Sequence, residues 1–410
     1  MKENTRVLVA LVAAIAIGAL IGASGNPSLI GAADAIAPIG SLWVNAIRMT
    51  VIPLVVSMLV ASVGAVTASG GLGRTGVRAL LISVGLLAAA AIGSVLIAGP
   101  ILARIPIDQA AALALRGPLT AASQGAIVPS GTPTLAEWFV DLVPQNVVKA
   151  AADGAMLPVI LFAVMLGLAL TRVSAGKREA ALRVVDGFAE AMQRLVVWIL
   201  GLAPIGVFAL AVPLASRLGL SAAGAVAAYV ALVVALTIVA VAVILYPIGI
   251  LAGPMSTPAF VSYCAPSQAI AFASRSSLAT LPAMVASAER AGLSPGASRV
   301  VLPLAVSVFH FGAAVAQTVG VVFLARLFGV TLTPAQLASV VFAVVLVSFA
   351  VPGIPGGSII AMVPVLAAAN LPIDGVGILL AVDTIPDMFR TTANVTGAMT
   401  LTAILPSPRD

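Results

Sequence analysis

The sequence predicts an all-α membrane protein in which some helices are interrupted inside the bilayer. Three observations lead there. The 410 residues are 61% hydrophobic and 8% charged, whereas soluble domains carry roughly 25% charged residues. Apolar runs near the length of a bilayer-crossing helix, about 20 residues, recur as Val7–Gly22, Ala79–Ile97, Leu157–Leu170, Ala222–Ile248 and Val301–Leu324. Two further apolar segments, late in the chain, are broken in their middles by serine, glycine and proline. The apolar sequence suffices for roughly eight transmembrane helices, with the two broken segments added as re-entrant helical hairpins.

The first run exceeds a signal-peptide core and lacks a small-residue cleavage site, so it reads as a retained helix. Basic residues then fall in short connectors: Lys2 and Arg6, Arg74 and Arg78, Arg172, Lys177, Arg178 and Arg183, Arg290 and Arg299, and Arg409. Such residues concentrate on the cytoplasmic side. That rule puts both termini in the cytoplasm of a plasma-membrane protein, and the connector from about Ile105 to Val148 outside. It also accounts for the net charge of +6 without a nucleic-acid partner; the lipid bilayer is the partner implied. The charged stretch Lys177–Arg194 is amphipathic and reads as a cytoplasmic extension of the next span.

The first broken segment runs from about Pro254 to Met284 and contains SRSSLATLP. The second runs from about Ala335 to Asn370 and contains VPGIPGGS. Each is too long for one span and too interrupted for a regular helix. Turn backbone at membrane depth is tolerated only where protein or a wet cavity surrounds it, so each reads as helix–loop–helix. The first starts from the cytoplasm and the second, one span later, from outside. Such inverted pairs meet near the midplane and aim backbone groups at a substrate.

The chemistry lies in AVDTIPDMFRTTANVTGAM. Asp383, Asp387, Arg390 and Asn394 are spaced four, three and four apart, which places them on one helix face. Intramembrane charges usually mark a substrate or ion path. Arg390 can hold a carboxylate with two parallel hydrogen bonds. Asp387 can accept from an ammonium, Asn394 can donate and accept, and Thr391 adds a hydroxyl. Pro386 frees the carbonyl of Val382. The face therefore suits a small zwitterion; the competing reading is that its charges pair only to hold the bundle. Ser276 and Ser277, beside Arg275, can bind a carboxylate or merely satisfy the bent backbone. Pro352, Gly353, Pro355, Gly356 and Gly357 make a tip that can gate the site or simply be an ordered loop. His310, between Phe309 and Phe311, reads as a core histidine on a helix or as a proton carrier. One cysteine, Cys264, and one histidine exclude an internal disulfide and Cys- or His-rich metal centres. No catalytic triad, phosphate loop or metal motif supports an enzyme.

These segments together resemble the glutamate transporter family, the dicarboxylate/amino acid:cation symporters, in order and over nearly the whole chain. VIPLVVSMLVASV with LGRTG, MLPVILFAVMLGLAL, LAPIGVFAL, SRSSLATLP, GIPGGS and AVDTIPDMFRTTANVTG carry the likeness. The resemblance implies a homotrimer with an elevator mechanism and no cofactor. A scaffold would comprise residues 1–76 (helices 1 and 2) and 105–220 (helices 4 and 5). A moving transport domain would comprise residues 77–104 (helix 3) and 221–410 (helix 6, hairpin 1, helix 7, hairpin 2 and helix 8). It also implies roles: Arg390 for the substrate's side-chain carboxylate, Asp387 for its amino group, Thr391 nearby, Asn394 and Ser277 around its α-carboxylate, and Ser276 and Ile354 for backbone contacts. Pro355, Gly356 and Gly357 match the gate, with Gly356 also at the substrate.

Arg390 then argues for an acidic side chain, because neutral amino acid members resemble the pattern without it. Asp387 argues for an amino group, because dicarboxylate members lack it. L-aspartate or L-glutamate follows as cargo. The sequence departs from the family where sodium is bound. The family's Asn-Met-Asp-Gly-Thr reads Phe309-His310-Phe311-Gly312-Ala313, an expected aspartate is Ala398, and the expected third-span ligands are Ser83, Leu86 and Leu87. Sodium needs oxygen ligands, so these sites are lost, although one built from second-hairpin carbonyls can remain. Proton coupling, or no coupling, is the expectation, with His310, Asp383 and Arg275 as proton-coupling candidates alongside the paired Asp387. Gln317 stands at the family's proton-carrying glutamate position, and Ala313 removes a threonine that supports the substrate. A dicarboxylate or neutral amino acid transporter, or a binding or anion-conducting homologue without coupled transport, are the alternatives.

Overall fold

The computed structural model describes residues 3–68, 74–104, 140, 142–153, 155–218, 220–293, 301–351, 353, 355–373 and 375–405, and no strand occurs among them. The chain begins with α1 (Glu3–Ser24), α2 (Pro27–Ala35), α3 (Ala37–Ala68) and α4 (Arg74–Ala103). Most of the connector expected outside lies beyond the described residues. After it come α5 (Val147–Ala152), α6 (Met156–Leu170), α7 (Ala175–Gly201) and α8 (Ala203–Leu218). Next are α9 (Leu220–Ala240), which runs through a π-helical turn (Val241–Leu245) into α10 (Tyr246–Leu251).

Two packing groups emerge. In one, α1 lies along α8, and α3 lies against α6, α7 and α8. Trp43 on α3 donates its indole N–H to the carbonyl of Ile199 at 2.9 Å, which ties α3 to the 55° bend between α7 and α8. Arg217 at the end of α8 reaches Asp34 on α2 at 2.9 and 3.0 Å. In the other group, α4 packs on later helices. The outer faces are apolar: Leu20, Leu96, Trp198 and Leu251 are two-thirds or more exposed. Such surfaces suit lipid chains rather than water.

The first interrupted segment forms α11 (Thr257–Ser274) and α12 (Ser277–Arg290), packed on each other as a hairpin. Its turn is made by Arg275, left-handed at φ 54°, and Ser276, extended. The Ser276 hydroxyl accepts from the Ala279 N–H at 3.2 Å, which caps α12 in the usual way for serine. The second forms α15 (Pro334–Val347), with α16 (Gly357–Ile360) and α17 (Val363–Ala368) returning. Thr333 and Gln336 close a capping box at the start of α15. Gly356 has φ 76°, a conformation open to glycine at little cost. Between the hairpins lie α13 (Leu302–Val308) and α14 (Phe311–Leu327); after them come α18 (Gly375–Val382) and α19 (Thr384–Ile404).

By length and apolarity, four helical stretches qualify as spans among the described residues, Pro27–Gly64, Gly76–Ala103, Gly224–Leu251 and Leu302–Leu327, or five with the bent pair α7–α8. Shorter apolar helical stretches among the described residues are Val9–Ser24, Pro158–Leu170, Pro334–Ala350 and Gly357–Ala368. The structure corrects two expectations. The run holding His310 is not one helix: Phe309 and His310 leave helical geometry at ψ 83° and 68°. The last polar face does not begin on its helix either. Asp383 sits in the turn before α19, since Pro386 cannot donate to the carbonyl of Val382.

The centre of the second group is α19, buried along most of its length and touched by α9, α11, α12, α13 and α14. It crosses α14 at Gly312, where an added Cβ would stand 2.3 Å from the carbonyl oxygen of Arg390 and 2.9 Å from the Ala393 Cβ. Small residues let membrane helices approach this closely. We therefore expect Gly312→Ala to lower the thermal midpoint of the solubilised protein, at a cost of about 1–3 kcal/mol. Gly85→Ala, which meets nothing within 4 Å, should leave it within about 0.5 kcal/mol. Equal midpoints would contradict the crossing.

Candidate functional site

Arg390, on the second turn of α19, is fully buried. Its Nη1 donates to Asp383 Oδ1 at 2.7 Å and its Nη2 to Asp383 Oδ2 at 2.8 Å, while Nη2 also donates to Asp387 Oδ1 at 2.6 Å. The Nε–H has no partner. Removing charges from water costs several kcal/mol per ion, and only such multiple hydrogen bonds offset it. The helix geometry supplies the contact, since Asp387 and Arg390 are three residues apart, while the turn at Asp383 lets its carboxylate meet the guanidinium end-on.

Asp387 is the hub of the cluster. Oδ1 also receives the Thr391 hydroxyl at 3.4 Å. Oδ2 receives the Gly356 N–H at 3.2 Å and lies 3.9 Å from Nη1 of Arg275. Both hairpin turns thus reach the same carboxylate. They also touch each other, because the Ser276 hydroxyl donates to the Gly353 carbonyl at 2.8 Å and Leu278 packs over Gly353. Hairpin turns far apart in sequence are closed together above α19.

Of the expected site residues, Arg390, Asp387, Thr391, Ser276, Gly356, Asp383 and Arg275 come together. Ser277, buried at the start of α12, and Pro355 and Gly357, beside Gly356, belong to the same turns. Ile354 and Pro352 lie outside the described residues. Arg390 departs from expectation in that its forked end is already filled by Asp383. Asn394 departs in a different way. Its Oδ1 accepts from the N–H groups of Gly312 at 2.7 Å and Ala313 at 3.3 Å, capping the unsatisfied first turn of α14 from another helix. Only its NH₂ remains for a ligand.

His310 lies in the break between α13 and α14, not on a helix face. Its N–H donates to the Ser348 hydroxyl at 3.0 Å, that hydroxyl donates to the Val308 carbonyl at 2.9 Å, and Nδ1 is 2.8 Å from the Ser348 carbonyl. A carbonyl only accepts, so Nδ1 carries the proton and Nε2 is left buried without a partner. Ser348 thereby clamps the α13–α14 break to the second hairpin. Nothing in the sequence marks Ser348, one serine before an apolar stretch, or Tyr229 on α9, whose buried hydroxyl is also unpartnered.

The region where sodium ligands were expected is filled with carbon. Phe309 and Phe311 are fully buried and stack edge to face at 6.1 Å. Phe309 presses on Gly397, next to buried Ala398, and Leu86 and Leu87 are buried too. Rings and methyl groups cannot replace oxygen ligands for a hard cation.

Removing Arg390 alone should leave two uncompensated buried carboxylates. We expect Arg390→Leu to lower stability by about 3–5 kcal/mol, read as a fall in thermal midpoint. Adding Asp383→Asn and Asp387→Asn to it should restore much of the loss. A triple variant as unstable as the single one would show that the charges do not act as a unit.

The model of one family, described as the sodium:dicarboxylate symporter family, matches residues 5–407. Among the similar proteins is the proton/glutamate-aspartate symporter of Escherichia coli (strain K12), 28% identical over 362 residues, covering 88% of this chain and 82% of that one. The proton/sodium-glutamate symport protein of Geobacillus stearothermophilus is 28% identical over 401 residues, 96% and 91%. The C4-dicarboxylate transport protein of Rhodopseudomonas palustris (strain BisB5) is 28% identical over 366 residues, 88% and 79%.

Proposed function

The chain belongs to the sodium:dicarboxylate symporter family, and we propose that it is a secondary active transporter of the acidic amino acids L-aspartate and L-glutamate, proton-coupled or independent of sodium. One observation carries the reading: a buried aspartate and arginine, Asp387 and Arg390, lie side by side beneath two hairpin turns that close over them. The arginine takes the substrate's side-chain carboxylate and Asp387 its ammonium. The α-carboxylate lies toward the Asn394 amide and the start of α12 at Ser277, whose freed N–H groups favour an anion. A dicarboxylate has no ammonium for Asp387, and a neutral amino acid leaves Arg390 without its anion. The names of the relatives from Escherichia coli and Geobacillus stearothermophilus support the same cargo.

Transport follows an elevator in a homotrimer, in this reading. The two packing groups support the division: α1, α2, α3 and α5–α8 as scaffold, α4 and α9–α19 as the moving part. The turn at Pro355, Gly356 and Gly357 acts as the gate, because its contact with Asp387 is a single hydrogen bond to backbone that a substrate can replace. The apolar outer faces and the basic residues of the short connectors support a plasma-membrane location with cytoplasmic termini. The carbon-filled sodium region supports proton coupling, with any residual sodium held by carbonyls of the second hairpin.

Purified protein in proteoliposomes tests this. Aspartate uptake should rise under an inward proton gradient and persist without sodium; uptake that requires sodium contradicts the coupling. Arg390→Ala should lower kcat/KM for aspartate by about tenfold or more, the worth of a charge-assisted hydrogen bond. Uptake at the wild-type level in that variant contradicts the binding mode.

A further inference from the structure

Arg390 has five N–H donors, and the way they are used constrains how a substrate can enter. The end-on pair faces both oxygens of Asp383, and Nη2 also serves Asp387. The Nε–H is left over, with the outer N–H of Nη1, and these two point to opposite sides of the plane's long axis. Neither pair edge of the guanidinium is vacant. A substrate carboxylate that binds with two parallel hydrogen bonds must displace one of the two aspartates.

The structure says which one yields. Asp387 keeps the Gly356 N–H, the Thr391 hydroxyl and the neighbouring Arg275 if it loses Arg390. Asp383 is held by Arg390 and by no other side-chain hydrogen bond that the structure shows. Charge points the same way. Asp383 meets Arg390, Arg390 meets Asp387, Asp387 lies beside Arg275, and α9, which carries the buried Tyr229 hydroxyl, packs against α19. With two cations and two anions the empty cluster is neutral. An acidic amino acid adds a net negative charge to it. Displaced and buried, Asp383 then becomes an unpaired anion in a site that already holds one excess charge, and a proton removes both penalties.

Resting on the transport reading above, we propose that Asp383 is the proton-binding group of this protein: substrate displaces it from Arg390, and it takes up one proton as it leaves. Tyr229 is its receiving partner. That hydroxyl is buried and unpartnered, and it offers a hydrogen bond to either form of the carboxyl. Asp383 thereby ties proton to cargo without any added charge on the hairpins. On release of substrate, Arg390 recaptures the carboxylate and the proton is expelled.

The test uses the full-length protein in detergent, weakly buffered with a pH-indicator dye, titrated with L-aspartate near neutral pH. Wild type should take up close to one proton per aspartate bound, and its Kd should rise about tenfold per pH unit on the alkaline side, the slope for one linked proton. Asp383→Asn should bind aspartate with little proton uptake and a flat pH profile. A second readout needs no change at Asp383: infrared difference spectra of wild type should show a protonated carboxyl band appearing with aspartate, shifted in Tyr229→Phe. One proton taken up by Asp383→Asn, or no such band in wild type, overturns the proposal while leaving the transport reading intact. No binding of aspartate or glutamate to wild type overturns both.

Discussion

A guanidinium buried at the middle of an apolar protein is the constraint on which the rest depends. Arg390 cannot be left in place without anions, so Asp383 and Asp387 are required. Asp383 is within reach only because Pro386 breaks the helix just before α19. Asp387, having two oxygens, draws in both hairpins through Gly356 and Arg275. The hairpins in turn need the left-handed residues at their turns. Close crossing of α14 and α19 at Gly312 brings the broken α13–α14 segment near enough for Asn394 to cap it. One ionic contact therefore organises two hairpins and two interrupted helices.

The same arrangement explains how an empty site is kept stable in a membrane. Its charges neutralise one another, and in the proposal above a substrate carboxylate takes the place that Asp383 holds on Arg390. Where the family resemblance leads one to expect oxygen ligands, this chain has buried Phe309, Phe311, Leu86, Leu87 and Ala398, which offer no side-chain oxygen to a hard cation.

Much of this was legible in the sequence. The two hairpins could be read from SRSSLATLP and VPGIPGGS because turn residues inside apolar runs have few other uses, and Asp387 and Arg390 from helical spacing among charges that must be buried. What stayed hidden was pairing. A periodic pattern tells which residues share a face, not whether they meet a ligand or each other, so the occupancy of Arg390 by Asp383 did not follow. The break at Phe309-His310 carries no glycine or proline and arises from partners on other elements, Asn394 and Ser348.

In the proposed cycle, substrate and Asp383 compete for one guanidinium. A structure of the protein with L-aspartate bound tests it most directly. We expect the aspartate side-chain carboxylate on the end-on edge of Arg390, its ammonium at Asp387, and Asp383 turned away toward Tyr229. Aspartate bound with the Asp383–Arg390 contacts still at 2.7 and 2.8 Å, or bound away from Arg390, would contradict it.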